Sequence, residues 1–169
     1  MRNGAPSSAA RQRSSRQPIA LHRVKRRIAQ SLTSGALVGR RGSSRLRSAL
    51  IAHGDPSVEF ELDGTKLQLP LSHQLPQTRR RFHNYAENLG ELARPLADMG
   101  HRIMVDVGAN IGDSAAIVKA HAPEMAMLCV EGDDRFVPFL RANTARWSDV
   151  TRRPGVARRA HRTVAGSHG

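Results

Sequence analysis

Residues 104–122 read MVDVGANIGDSAAIVKAHA, and their small residues and carboxylates are spaced to hold a nucleotide-like ligand. Gly108, Ala109, Asn110, Ile111 and Gly112 make a small-residue turn. Glycine lets backbone approach a ligand without a Cβ in the way and permits the tight reversal such a turn needs. Asp113 or Ser114 is a good N-cap for the helix that follows, whose first amides offer hydrogen-bond donors. The second half of the pattern is acidic. Glu131 lies 19 residues past Gly112 and 23 past Gly108, where a strand-end carboxylate grips a ribose. A diol presents two adjacent donors, and one carboxylate accepts both. Gly132 and Asp133 follow directly.

These residues need a scaffold of two strands and two helices. Residues 102–107 are β-rich, with Ile103, Val105 and Val107 on one face, and lead into the turn. Residues 125–130 (MAMLCV) read as the next strand, with Glu131 immediately after it. A further helix is expected over 135–145, where Pro138 is tolerable because it falls near the first turn.

Charge is sharply segregated. The formal charge is +13, yet residues 51–150 carry 10 basic and 14 acidic side chains, while residues 1–50 carry 12 basic and none acidic. Basicity therefore belongs to the ends, which argues against specific nucleic-acid binding by the core. Cys129 is the single cysteine, so no internal disulfide forms and a reducing, cytoplasmic setting is expected. It is expected to be a buried structural thiol. No run approaches the ~20 apolar residues of a membrane span, and the first residues lack a secretory core.

Upstream, residues 1–17 have the composition of a disordered basic tail, and residues 18–56 read as a basic helical lead-in. That lead-in is either a solvated helix packing one stripe on the domain, a contact for an anionic surface, or a transit segment. Residues 57–100 form a cap of hairpin and helix. Val58, Phe60 and Leu62 alternate, Asp63-Gly64 supplies the turn, and Leu67 and Leu69 alternate again. One helix is expected over 80–98, with Phe82, Tyr85, Leu89, Leu92 and Leu96 in helical rhythm and Pro95 ending or bending it. Residues 101–150 hold the first two β/α units, and residues 151–169 form a basic irregular tail in which no strand is expected. The eight histidines show no metal-ligand spacing, so no metal is expected. Ser114 reads as a cap, not a nucleophile, and His83 as packing or surface.

VDVGANIGDSA at 105–115 and LCVEGDDRFVPFLRANT at 128–144 resemble the FkbM-type family of class I S-adenosylmethionine-dependent methyltransferases. LQLPLSHQLP at 67–76 and FHNYAENLGELA at 82–93 resemble that family's lead-in, so the likeness covers about 90 residues, 58–147. It implies an α/β, Rossmann-like sheet with S-adenosylmethionine as cofactor. Asp106, Gly108, Asn110 and Gly112 stand on the first motif, with Asn110 in a slot often held by glycine. The resemblance further implies that Glu131 takes the ribose hydroxyls and that Gly132 and Asp133 lie near the adenine. The turn through Ala109 lies against the methionine and ribose, and Asp106 or Asp113 favours the cationic end. Tyr85 either packs or flanks the cofactor.

The implied reaction is O-methylation of a small-molecule or glycan hydroxyl, with no catalytic base identified. The family sheet has about seven strands, of which the sequence supplies two, so the expectation is a truncated, inactive and aggregation-prone chain. The alternatives are a nicotinamide-dependent oxidoreductase fragment, which wants a Gly-x-Gly-x-x-Gly that this turn lacks, and a non-enzymatic basic interaction module.

Overall fold

The computed structural model describes residues 19–33, 42–82 and 84–155. The tail 1–17, His83 and the basic stretch after Gly155 lie outside the described residues. The lead-in supplies two helices, α1 (Ile19–Thr33) and α2 (Ser43–Ala52). Period-two alternation around Asp63-Gly64 then folds as an antiparallel hairpin of β1 (Ser57–Leu62) and β2 (Thr65–Pro70), with Phe60 opposite Leu67. Asp63 and Gly64 both take positive φ, 46° and 75°, as a two-residue turn matched to strand twist requires.

The helix expected over 80–98 is two helices. α3 (Leu75–Arg81) begins with Pro76 in its first turn, and α4 (Glu87–Asp98) follows a break in which Ala86 takes φ 59°. Pro95 lies inside α4, which ends at Asp98. Phe82 and Leu92, expected on the apolar stripe, are exposed, whereas Gly90, Ala93 and Ala97 are buried. Close approach explains this. α4 packs on α5 (Asp113–His121), and a Cβ on Gly90 would fall 2.5 Å from His121 Nε2. Small residues face the neighbour and Phe82 and Leu92 are left outside, while Tyr85, Leu89 and Leu96 of the expected stripe are half-buried against the cores.

β3 (Ile103–Val107), β4 (Ala126–Glu131) and β5 (Val150–Pro154) form a parallel sheet in the order β3-β4-β5. α5 connects the first pair and α6 (Val137–Thr144) the second. This βαβαβ unit with sequential strand order has the topology of half a Rossmann sheet, so the class is α/β with a small, incomplete Rossmann-like sheet. β5 corrects the expectation that no strand occurs after 150. Its sequence VTRRP shows no apolar run, but only Val150 is buried, and parallel pairing of Met127 with Val150 through Glu131 with Pro154 sets its course. A short edge strand needs little hydrophobic pattern of its own.

α5 is buried nearly all round because it belongs to two cores. Ala116 and Ile117 join Val58, Leu62, Leu67 and Leu69 of the hairpin and Leu32 of α1. Ala115 and Val118 join Met127, Cys129 and Val150 of the sheet and Ala93 of α4. Lys119 is buried within the helix. Its ammonium donates to Pro123 O at 2.9 Å, Met125 O at 2.7 Å and Asp149 Oδ2 at 2.5 Å, tying the exit of α5 to the starts of β4 and β5. The opposite sheet face is bare: Ile103, Val105 and Val107 are 68%, 57% and 79% exposed. Among the described residues no helix is long and apolar enough to cross a membrane.

Candidate functional site

The site forms where β3 and β4 end. Gly108 N and Ala109 N both donate to Val130 O, at 2.8 and 3.0 Å, so the turn continues the β3–β4 ladder before reversing. Gly108, Asn110 and Gly112 take φ of 88°, 50° and 88°. At Gly112 space is also tight, because an added Cβ would meet Thr144 Cγ2 at 3.0 Å and Leu140 Cδ1 at 3.1 Å on α6. At Gly108 an added Cβ meets nothing within 4 Å, so the backbone there faces open space.

Gly112 is the N-cap of α5, in the left-handed conformation, and no side chain caps the helix. This corrects the assignment of the cap to Asp113 or Ser114. Asp113 instead sits buried in the first turn of α5, where its charge faces the positive end of the helix. An anionic ligand at the start of α5 would meet a buried carboxylate of the chain itself.

Glu131 is the last residue of β4 and 8% exposed. Its Oε2 accepts from Asn110 N at 2.6 Å and its Oε1 from Asp133 N at 2.6 Å. Two backbone donors thus orient the carboxylate, and each oxygen retains further acceptor capacity. Asp106 pairs in register with Cys129, placing it on the same face of the sheet as Glu131. Asp106 Oδ2 is buried with no hydrogen-bond partner. Burial, then the charge of Asp113, pushes the Asp106 carboxyl above its ordinary range; the Ser114 hydroxyl opposes this and Glu131 adds to it. Burial likewise raises Asp113, against hydrogen bonds from the helix start and the nearby His73.

Around the glycine turn the structure therefore gathers Asp106, Asp113 and Glu131. Gly132 and Asp133 stand on the far side of Glu131, where Asp133 is held at about 2 chiefly by hydrogen bonds from Arg135. The thiol of Cys129 is buried behind Asp106, and burial pushes it up to about 11, so it stays protonated and unreactive. Among the described residues no group of three His, Cys, Asp or Glu is arranged to hold a metal ion.

Beside the turn lies a cavity of about 390 Å³ lined by His73, Thr78, Tyr85, Asn110, Asp113 and Phe136, among others. Leu75 N donates to His73 Nδ1 at 3.1 Å, so the other ring nitrogen carries the proton and donates to Asn110 Oδ1 at 3.3 Å. Tyr85 lies near the Asp113 carboxylate, and burial, then that charge, raises the phenol above its ordinary value.

Asn143, on α6, carried no functional signal. Its Nδ2 donates to Gln68 O and Ile111 O at 2.8 Å each, and its Oδ1 accepts from Gln68 N at 2.7 Å. One buried amide thus pins the hairpin to the glycine turn. Asn143 and Thr144 fall at helical spacing from the buried Leu140, and two polar residues on an apolar stripe are the signal that was available.

No family model matches the chain, and no curated protein matches it. Among solved structures the chain is similar to "PigF with SAH", with 18% sequence identity and a TM-score of 0.30. That similarity covers 80% of this chain and 58% of the other, so the chain spans less than two thirds of that protein's length.

Proposed function

We propose that the chain carries the cofactor-binding half of an S-adenosylmethionine-dependent methyltransferase of FkbM type, acting on a hydroxyl of a sugar or natural product in the cytoplasm. The observation that carries this reading is the sign of charge at the turn. A dinucleotide places its pyrophosphate on the amides that open the helix after the glycine turn. Here Asp113 occupies the first turn of that helix, and its charge and that of Glu131 are felt at Asp106. A pyrophosphate would meet three carboxylates, whereas a sulfonium carrying an ammonium group meets compensating charge. The orphaned Asp106 Oδ2 is an acceptor awaiting a donor of this kind.

In this reading Glu131 accepts the ribose hydroxyls, pre-oriented by Asn110 N and Asp133 N. Gly108, Ala109 and Gly112 bring backbone against the ligand, Gly132 and Asp133 flank the base, and Asp113 adds negative potential. When bound, S-adenosylmethionine supplies a methyl already activated on sulfur, so the chain's task is to bind, align and exclude water. The resemblance implies about seven strands and the described residues supply three parallel ones. Turnover therefore belongs to a completed sheet, and cofactor binding is the property to seek in this chain. Equilibrium dialysis against labelled S-adenosylmethionine and labelled NAD tests the reading. Retention of the first alone supports it, and retention of NAD alone overturns it.

A further inference from the structure

We propose that the cavity between the α3 lead-in and the turn is the methyl acceptor's site, and that it admits a neutral or protonated donor group and rejects anions. The proposal rests on the methyltransferase reading and adds to it the charge class of the second reactant.

Asn110 is the dividing wall. Its backbone amide serves Glu131 on one side, and its side chain meets His73 on the other. The lining of the cavity includes neither Asp106, Gly108, Glu131 nor Asp133, so a ligand there is separate from one on the ribose carboxylate. The two spaces nevertheless share Asn110 and Asp113, and reactants that exchange a group must meet at contact distance.

The lining decides what enters. Among the described residues no lysine or arginine lines the cavity, and its one carboxylate, Asp113, is 8% exposed. That carboxylate lies at the positive end of α5, which offsets part of its charge, beside a His73 ring whose Nδ1 is occupied by Leu75 N. A second buried anion would face Asp113 with no cation to offset it, and its desolvation would go uncompensated. A hydroxyl or an ammonium instead donates to the remaining acceptor capacity of Asp113, while Leu75 and Phe136 cover its carbon skeleton. His73 is excluded as the group that receives the acceptor's proton, because both its nitrogens are engaged. Asp113 is the acceptor of protons that the cavity offers.

Tyr85 is the only tyrosine of the chain and lies in this lining, so it reports the cavity by itself. The full chain labelled with 3-fluorotyrosine is titrated by fluorine NMR with cyclohexylamine, cyclohexanol and cyclohexanecarboxylate, three rings alike in size that differ in charge. The amine and the alcohol are expected to shift the resonance saturably, with and without S-adenosylhomocysteine. The carboxylate is expected to bind at least about tenfold more weakly than the amine. Asp113→Asn is expected to bring amine and carboxylate within about threefold of each other. Equal binding of the carboxylate, absence of a saturable shift with amine and alcohol, or loss of the shift when S-adenosylhomocysteine is added would each overturn the proposal. Calorimetry of S-adenosylhomocysteine on the same sample separates the two readings. If that ligand fails to bind while the charge ranking holds, the cofactor reading falls and the cavity's selectivity stands.

Discussion

Asn110 N donates to Glu131 Oε2 at 2.6 Å, joining the middle of the glycine turn to the carboxylate that ends the next strand. The bond fixes a carboxylate able to accept a diol relative to the backbone a cofactor would lie against. With Asp133 N on the other oxygen, the carboxylate is held before any ligand arrives, which lowers the ordering cost of binding. Three positive-φ residues make this geometry affordable in a turn of five.

Gly108 is the first test of the turn. Open space in front of it removes steric conflict with the chain, so a side chain there acts through φ 88° and through the volume it takes from a ligand. Gly108→Val is expected to cost about 1–2 kcal/mol of stability from the left-handed backbone and to abolish S-adenosylhomocysteine binding. A valine variant with parental melting and parental affinity would show that the turn approaches no ligand.

Asn143→Leu removes the amide that serves Gln68 N, Gln68 O and Ile111 O. One buried and two part-buried backbone groups lose their partner, and a loss of about 2–4 kcal/mol in urea unfolding is expected. A change under about 0.5 kcal/mol would mean that the hairpin and the turn hold their relative position without this bridge.

Asp106 makes a prediction with a sign. Its carboxyl titrates above the ordinary range in the folded chain because it is buried beside Asp113. The folded state therefore holds this proton more tightly than the unfolded state. The penalty is absent below the unfolded pKa, grows between the unfolded and the folded pKa, and is complete above the folded one. Asp106→Asn is expected to raise Tm at pH 7 by about 2–5 °C, a gain that shrinks toward zero as pH falls below the unfolded carboxylate pKa. The same variant is expected to weaken cofactor binding, a trade of stability for function. A variant that melts lower at pH 7, or a gap that does not change with pH, would contradict this account.

The hairpin, the strand leading into the turn and the acid at the end of the next strand were legible because each rests on local pattern: alternation around Asp63-Gly64, small residues at 108–112, an apolar run ending at Glu131. What escaped was set by neighbours distant in sequence. α4 buries Gly90, Ala93 and Ala97 because α5 lies close, which rotates the buried face and leaves Leu92 outside while Leu89 and Leu96 still pack on the core. β5 exists because β4 offers an edge, although VTRRP carries no strand pattern. The Asn143 bridge is likewise a contact that spacing alone does not encode.

The bare sheet face is expected to drive self-association. Ile103, Val105 and Val107 form an apolar row on β3, whose outer edge is unpaired among the described strands. Val105→Thr with Val107→Thr is expected to lower the sedimentation-average mass at high concentration while changing stability by no more than about 1 kcal/mol. A parent chain that sediments as a monomer over the same range would remove the basis for this expectation.

Calorimetry of S-adenosylhomocysteine on the parent chain and on Glu131→Gln tests the central claim most directly. The amide keeps one acceptor but loses the charge, and its NH₂ faces the Asn110 or the Asp133 amide as donor against donor. The parent is expected to bind, and the variant to lose about 1.5–3 kcal/mol of binding free energy, with no heat from NAD in either. Equal affinity of parent and variant, or binding of NAD in place of S-adenosylhomocysteine, would contradict the account.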